Sequence, residues 1–446
     1  WTQSPVMRHR TRGIASSSKS DDGVMSEITV PLSAAGAADA DRFGPKAANL
    51  AALGAAGLPI PGGYALDAEA YRMQLRALGL EETARKVFST EGMEARRSAL
   101  AIKLGLLDEP IADELMEPLL EAWRSIMAVP GALGVVRSSA LVEDRFGSSF
   151  AGQFESFLGL ENETEYLTAV RSCWCALWAT RALRYMATND LDPADTAMGL
   201  IIQPLVHANA SGGGLSQTAE GDMLISATWG LGSAIAQGEV VPDRYRLTRD
   251  GEVLEMAAGR KTHAVGCAHT QTISHTEAFE PCLSEDQVKE LGRYLLTSES
   301  VVDGPAEIEW SLDEEGFKLL QARPLHVETS HAPEQIWEAH PRLRGHPAGV
   351  GWGTGPARVV NCECELSRVG PGDVLITKVP GPALTQVLPQ VSGVVAELGG
   401  STSHLASLAR ERGIPMVLGV LDATGNIPDG STVAVDGVAG IVRWMS

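Results

Sequence analysis

Residues 397–419 read ELGGSTSHLASLARERGIPMVLG, and this stretch decides how the C-terminal part of the chain folds. Gly399-Gly400 permits a tight turn after an apolar strand expected at Gly393–Ala396. Ser401, Thr402 and Ser403 are good N-cap residues, and LASLARER is a helix-forming run that Gly413 and Ile414-Pro415 end. His404 therefore falls in the first helical turn, where free N–H groups and the helix dipole favour an anion. The same field disfavours an imidazolium and keeps the ring neutral and nucleophilic. A histidine so placed can accept a phosphoryl group, or it can serve only as a capping hydrogen-bonder.

Moving outward, residues 349–446 carry short strands and helices with regular Gly and Pro punctuation, enough for one small domain. Before them a break falls at 326–348, with Pro333, Pro341 and Pro347, and 328–348 is expected to be a semi-stiff linker. Its histidines are irregularly spaced, so a solvated linker is preferred to a metal site. Further upstream, 44–130 reads as mostly helical and 162–187 as one long helix carrying Trp174, Trp178 and Tyr185. Strand-like runs follow at 198–206, 223–228, 243–248, 307–311 and 317–321, with a helix at 284–300. This alternation predicts a mixed α/β (α+β) domain. Residues 1–25 are polar, Ser-rich and basic, and are expected to be a disordered tail or tag.

Two upstream groups carry chemistry. VVRSSALVEDRFGSSFAGQFESFLGL (135–160) puts Arg137 at a strand end before a Ser- and Gly-rich loop. Such a loop can bend backbone amides over phosphates, and an arginine can bind one bidentately, although an ordinary surface turn looks the same. In AEIEWSLDEEGFKLLQARPL (306–325), Glu307 and Glu309 share one strand face, and Gln321 and Arg323 alternate likewise on a second strand. The turn at Asp313–Gly316 would pair the two strands. Carboxylates beside an amide oxygen suit Mg²⁺, which usually arrives with a nucleotide phosphate; an edge hairpin with polar outward positions is the alternative.

Composition narrows the function classes. The 446 residues carry a net charge of −20, with 44% hydrophobic and 21% charged residues, so wholesale disorder is excluded. The acidic balance argues against nucleic acid or an anionic membrane surface as main partner. No run of about 18 apolar residues is present, so no membrane-spanning helix is expected. Six cysteines include the pairs Cys173/Cys175 and Cys362/Cys364, too close for the usual zinc spacing. Without a secretory signal, they read as reduced thiols of a cytoplasmic protein.

Taken in order, these segments resemble the pyruvate,phosphate dikinase / phosphoenolpyruvate synthase family, including the rifampin phosphotransferases. FGPKAANLAALGAAGLPIPGGYAL is similar to the family's opening GGK segment, and VRSS…SFAGQFESFLGL to its arginine and glycine-loop segment. IIQPLV (201–206), ISATWGLGSAIAQGEVVPDRY (225–245) and the EIEW…LLQARPL hairpin are similar to blocks of its ATP-grasp nucleotide-binding domain. GGSTSHLASLARERGIPMVLG resembles its swivelling phosphohistidine domain. The resemblance implies an ATP-grasp domain over 26–327, in two subdomains split near 210, and a swivelling domain over 349–446.

Carried over by residue, it implies ATP phosphate contacts from Lys46 and Arg137 and loop contacts from Gly152 and Ser156. Gln203 would lie at the adenine hinge. Glu309 and Gln321 would hold Mg²⁺ and phosphate, with Arg323 beside them and Glu307 supporting. His404 would be the phosphorylated histidine, steadied by Thr402, and Arg137 would assist the transfer. The implied activity is a dikinase-type transfer of the ATP β-phosphoryl group to His404 with release of AMP, then to a small-molecule acceptor such as pyruvate.

Two departures stand out. The opening segment reads GPK rather than GGK, so the backbone near Lys46 is expected to differ. No residues are left for the family's pyruvate-binding barrel, so the acceptor is expected in the interdomain cleft or on a separate acceptor-domain chain. The rival readings are an ATP-grasp acyl-phosphate ligase and a phosphocarrier or nucleotide-sensing subunit of a partner enzyme.

Overall fold

The computed structural model describes residues 27–90, 92–143, 154, 156–188, 191–265, 270–272, 277–327 and 340–445. Three main sheets come from three successive stretches of the chain, and with their helices they make an α/β fold. The first sheet has five antiparallel strands in the order Thr29–Pro31, Tyr64–Leu66, Met198–Pro204, Gly134–Ala140 and Ser156–Leu160. Amphipathic helices cover it. Asp113–Ile126, for example, buries Leu115, Leu119, Ala122 and Ile126, which recur at helical spacing.

The second sheet has six antiparallel strands: Gly316–Pro324, Ala306–Asp313, Ala210–Leu215, Met223–Trp229, Asp243–Leu247 and Val253–Ala257. Helix Glu285–Val302 starts on a capping box between Ser284 and Gln287 and packs Val288, Leu291 and Leu295 into the same core as Ile225, Ile308 and Trp310. Burying that face leaves the alternate residues of Ala306–Asp313, Glu307 and Glu309, pointing the other way. The third sheet, of eight strands, has a parallel centre made by Trp352–Val360, Val374–Thr377, Gly393–Ala396 and Met416–Leu418. Every residue of Val374–Thr377 and Gly393–Ala396 is buried, as parallel strands covered on both faces require. One apolar cluster runs from Trp174, Trp178 and Met198 to Val394, Leu405 and Leu408, so the histidine-bearing unit is packed onto the rest of the chain.

Four features differ from the sequence reading. The helix expected over 162–187 is two helices, Glu163–Ala176 and Thr180–Thr188. Trp178 and Ala179 donate their N–H groups three residues back, to Cys175 and Ala176, so the chain tightens and turns there. No Gly or Pro marks that turn, which is why periodicity ran through it. The strand Ala210–Leu215 (ASGGGL) sits between two others in the second sheet, yet has no apolar alternation to reveal it. Residues Arg342–Arg344 and His346–Pro347, within the stretch expected to be linker, are strands of the third sheet; 328–339 lie outside the described residues.

The fourth difference concerns the cysteines. Cys173, Cys175 and Cys282 are buried thiols, but Cys362 and Cys364 are joined in a disulfide. Extended backbone at Cys362 leading into the 3₁₀ turn Glu363–Arg368 brings the two Cα atoms to 5.3 Å, within bonding range. Among the described residues no helix is long and apolar enough to cross a membrane.

His346 gives the fold a pH response. It is buried beside Gly400 and Gly419, and its Nδ1 has no hydrogen-bond partner among the described residues. Burial, aided by the nearby Arg244 charge, lowers its pKa to about 3 from the ordinary 6.5. The folded chain therefore binds fewer protons here than the unfolded one. The stabilisation is complete above the ordinary value and declines as pH falls below it. Between about pH 8 and about pH 5 the loss should be about 2 kcal/mol in urea unfolding, and His346→Gln should remove that share of the slope. An unaltered slope in the variant would show that His346 is not the group responsible.

Candidate active site

Helix Pro45–Ala55 brings Lys46 to the site. Gly44, at φ +81°, approaches the backbone of Ser139 so closely that a Cβ would lie 2.3 Å from its carbonyl oxygen. Ser139 Oγ then accepts from Ala47 N at 3.1 Å, which satisfies an otherwise orphaned donor of the first turn. Pro45 sits at the first helical position, where its missing N–H costs nothing. The GPK departure is thus accommodated by the helix itself. Asn49 Nδ2 donates to Ala322 O at 3.1 Å and ties this helix to the 306–324 hairpin. Lys46 Nζ is paired at 2.8 Å with Glu143, whose side chain is fully buried.

The turn pairs Asp313 with Gly316 as expected, and a bulge between Glu309 and Trp310 then shifts the register by one residue, so that Glu309 faces Gln321 and Glu307 faces Arg323. Arg137, from the Gly134–Ala140 strand, reaches across to it. Its Nη1 donates to Leu320 O at 2.6 Å, and its Nη2 donates to Gln321 Oε1 at 3.0 Å and to Glu309 Oε2 at 3.4 Å. Glu309 remains 43% exposed, so its carboxylate is available to a ligand. Ser156 pairs with Arg137 in the sheet register and is exposed. Gly152 lies outside the described residues. Gln203 is buried two positions along the sheet, where its Nε2 donates to Gly62 O at 2.9 Å; its amide nitrogen is committed to that loop.

The histidine helix runs His404–Glu411, and Ser403 is its N-cap, accepting from Ala406 N at 3.2 Å. The preceding loop lies on the Ala210–Leu215 strand. A Cβ at Gly213 would stand 2.7 Å from Thr402 Cβ, so the glycine is needed for this approach. Gly213 pairs with Glu309 in the sheet, which places Thr402 beside the hairpin's carboxylate. The approach is fixed by Gly399 N donating to Val240 O at 2.9 Å. The hydroxyls of Ser401 and Thr402 are buried with no hydrogen-bond partner among the described residues, so two donors wait beside His404.

His404 is open to solvent on one side and hemmed in by protein on the others. Desolvation lowers its pKa, Arg323 and Lys46 add to this, and Glu309 and Glu307 oppose it. The ring is accordingly held neutral near pH 7, with a lone pair free. Glu307, to which the resemblance gives a supporting place, is 6% exposed. It is buried between Arg323 at 3.0 Å and Arg410 at 2.9 Å. Burial alone would raise its pKa, but the two guanidiniums prevail and lower it to about 2. Arg323 also bonds Ser407 on the histidine helix.

Two residues that pair with side chains of the candidate site, Glu143 with Lys46 and Arg410 with Glu307, escaped the sequence reading. Glu143 had a local signal, since VEDR sits between the arginine and the glycine loop; Arg410 looked like an ordinary surface residue of a helix. Among the described residues no three His, Cys, Asp or Glu side chains stand together as a metal cluster. Glu309 and Gln321 supply two oxygens on paired strands. That number fits a Mg²⁺ that brings its own waters and phosphate ligands, not a dedicated protein cage.

Known proteins resemble the chain over most of its length. The profile "Pyruvate phosphate dikinase, AMP/ATP-binding domain" matches residues 40–342, and "PEP-utilising enzyme, mobile domain" matches residues 369–440. The phosphoenolpyruvate synthase of Aeropyrum pernix is 33% identical over 90% of this chain and 56% of its own length. A probable phosphoenolpyruvate synthase of Methanothermobacter thermautotrophicus is 28% identical over 90% of this chain and 61% of its own. For the phosphoenolpyruvate synthase of Escherichia coli the values are 28%, 89% and 55%. The chain thus spans little more than half the length of the curated relatives it matches. With more than half of its residues inside the first profile, and the histidine unit inside the second, the chain belongs to the pyruvate phosphate dikinase / phosphoenolpyruvate synthase family.

Proposed function

We propose that this chain is an ATP-dependent phosphotransferase that works through a phosphohistidine at His404. The observation that carries the reading is the placement of one neutral histidine, at a helix N-terminus, within the field of Lys46, Arg323 and Glu309. Lys46 would leave Glu143 for the polyphosphate, and Arg137 and Arg323 would neutralise its charge. Glu309 and Gln321 would hold Mg²⁺, which when bound would help neutralise the polyphosphate charge. An imidazole nitrogen of His404 attacks the β-phosphorus, the bond to the α-phosphate oxygen breaks, and AMP leaves. The outer phosphate then passes to water or inorganic phosphate. The remaining phosphoryl group, steadied by Thr402, passes to a small acceptor.

The relatives' name supports pyruvate as that acceptor, held in the cleft or on a partner chain. The histidine unit packs against the nucleotide-binding unit here, the arrangement suited to charging. Delivery would need it to swing away about the 328–340 segment. An acyl-phosphate ligase would have no use for His404, and a sensing subunit would need no magnesium–phosphate hairpin. The test is incubation of the full chain with Mg²⁺ and β-labelled ATP. Acid-labile label on His404 with accumulation of AMP is expected; formation of ADP alone overturns the reading.

A further inference from the structure

Ser403, Ser407 and Arg410 recur at i, i+4 and i+7 and so form one stripe of the histidine helix. His404 stands one residue, about 100°, round from that stripe. The stripe rides on the carboxylate hairpin. Arg410 Nη2 donates to Glu307 Oε2 at 2.9 Å, and Ser407 Oγ lies 3.4 Å from Glu307 Oε1. Arg410 Nη1 donates to Ser401 O at 2.6 Å, within the loop that leads into His404. Arg410 is only 7% exposed and Glu307 6%.

A buried guanidinium is costly unless its donors are met, and here they are met from both units at once. Glu307 meets two guanidiniums, Arg323 from its own unit and Arg410 from the histidine unit. Apolar packing alone could hold the units together without fixing the rotation of one helix on one hairpin. A charged pair with directional donors does fix it.

We propose that Arg410 is a positioning residue that latches the histidine unit to Glu307. The latch sets the turn of the helix and the height of the Ser401–Ser403 loop, so that His404 faces the phosphate site. The proposal rests on the function proposed above and adds a consequence for the nucleotide. Arg323 is shared between Glu307 and the site where the polyphosphate is expected. When phosphate draws Arg323 away, Arg410 remains the guanidinium that holds Glu307, so the docked orientation is kept while the nucleotide is bound.

The test uses the full chain with Arg410→Met, which keeps bulk without charge, and Arg410→Lys, which keeps the charge but not the fork. Single-turnover charging of His404 from β-labelled ATP should fall about 100-fold in Arg410→Met, with the KM for ATP within about threefold of the parent. Arg410→Lys should recover about tenfold of that loss. If Arg410→Met does not fold, Arg410→Lys decides: a lowered charging rate at unchanged KM supports the latch. Parent-like charging in either folded variant, or a raised KM with unchanged rate, overturns it. A distance probe between the two units gives a readout independent of chemistry: an ATP analogue should narrow the parent's distribution and leave that of Arg410→Met broad. Absence of labelling in the parent chain would instead sink the phosphohistidine reading, and the distance probe would then judge the latch alone.

Discussion

The variant His404→Ala is expected to form no AMP and to take no label from β-labelled ATP, a loss of at least about 10⁴-fold in turnover. Among the described residues, the other nitrogen bases considered for this role are engaged or enclosed. Lys46 is engaged by Glu143, and His346, although neutral, is enclosed beside Gly400 and Gly419. Since His404 is exposed at the end of its helix and forms no part of the apolar cluster, the variant should fold and melt as the parent does. It should also bind ATP, because Lys46, Arg137, Arg323 and Glu309 are untouched. Product analysis by chromatography, with acid and base stability of the label, checks each point. Residual labelling of comparable extent would place the carrier elsewhere.

What could be read beforehand, and what could not, follows from the range of each interaction. The hairpin was legible because its information is local: period-two alternation in EIEW and LLQARP and a turn at Asp313–Gly316 pair the two strands, whereas the bulge after Glu309 that sets the final register left no local mark. The histidine helix was legible for the same reason, its cap and stop lying within a dozen residues. The central strand Ala210–Leu215 was not. Gly212 is pressed by Ser226 and Trp310, and Gly213 by Thr402, so the segment is defined by what approaches it and not by its own side chains. Arg410 failed for a related reason. An arginine in LARER reads as solvated, and only the arrival of Glu307, 103 positions away in sequence, makes a buried partner of it. The strand face of Glu307 was legible, but the guanidinium of Arg410 that meets it there comes from another unit and was not. Cys362 and Cys364 could be paired only once backbone geometry was known.

Glu309→Gln should lower AMP formation by about 10²- to 10³-fold while leaving the fold intact. The side chain is nearly half exposed, and its protein partner is Arg137 at 3.4 Å. Arg137 keeps Leu320 O at 2.6 Å and Gln321 Oε1 at 3.0 Å after the change, so no buried donor is orphaned. Unfolding free energy should therefore shift by no more than about 0.5 kcal/mol. The lost charge acts on chemistry in two separable ways. Without the carboxylate the site holds its cation less well, so the Mg²⁺ concentration for half-maximal AMP formation should rise. Glu309 also raises the His404 pKa, against the lowering by desolvation, Arg323 and Lys46. Removing it leaves the lowering influences less opposed, so the pH below which the imidazole protonates and charging fails should move down. The acid limb of the pH–rate profile should thus shift to lower pH even as its plateau falls, which simple loss of structure would not produce. A variant that turns over like the parent would remove Glu309 from the site. A plateau loss with an unshifted acid limb would separate the carboxylate from His404 and confine its role to the metal.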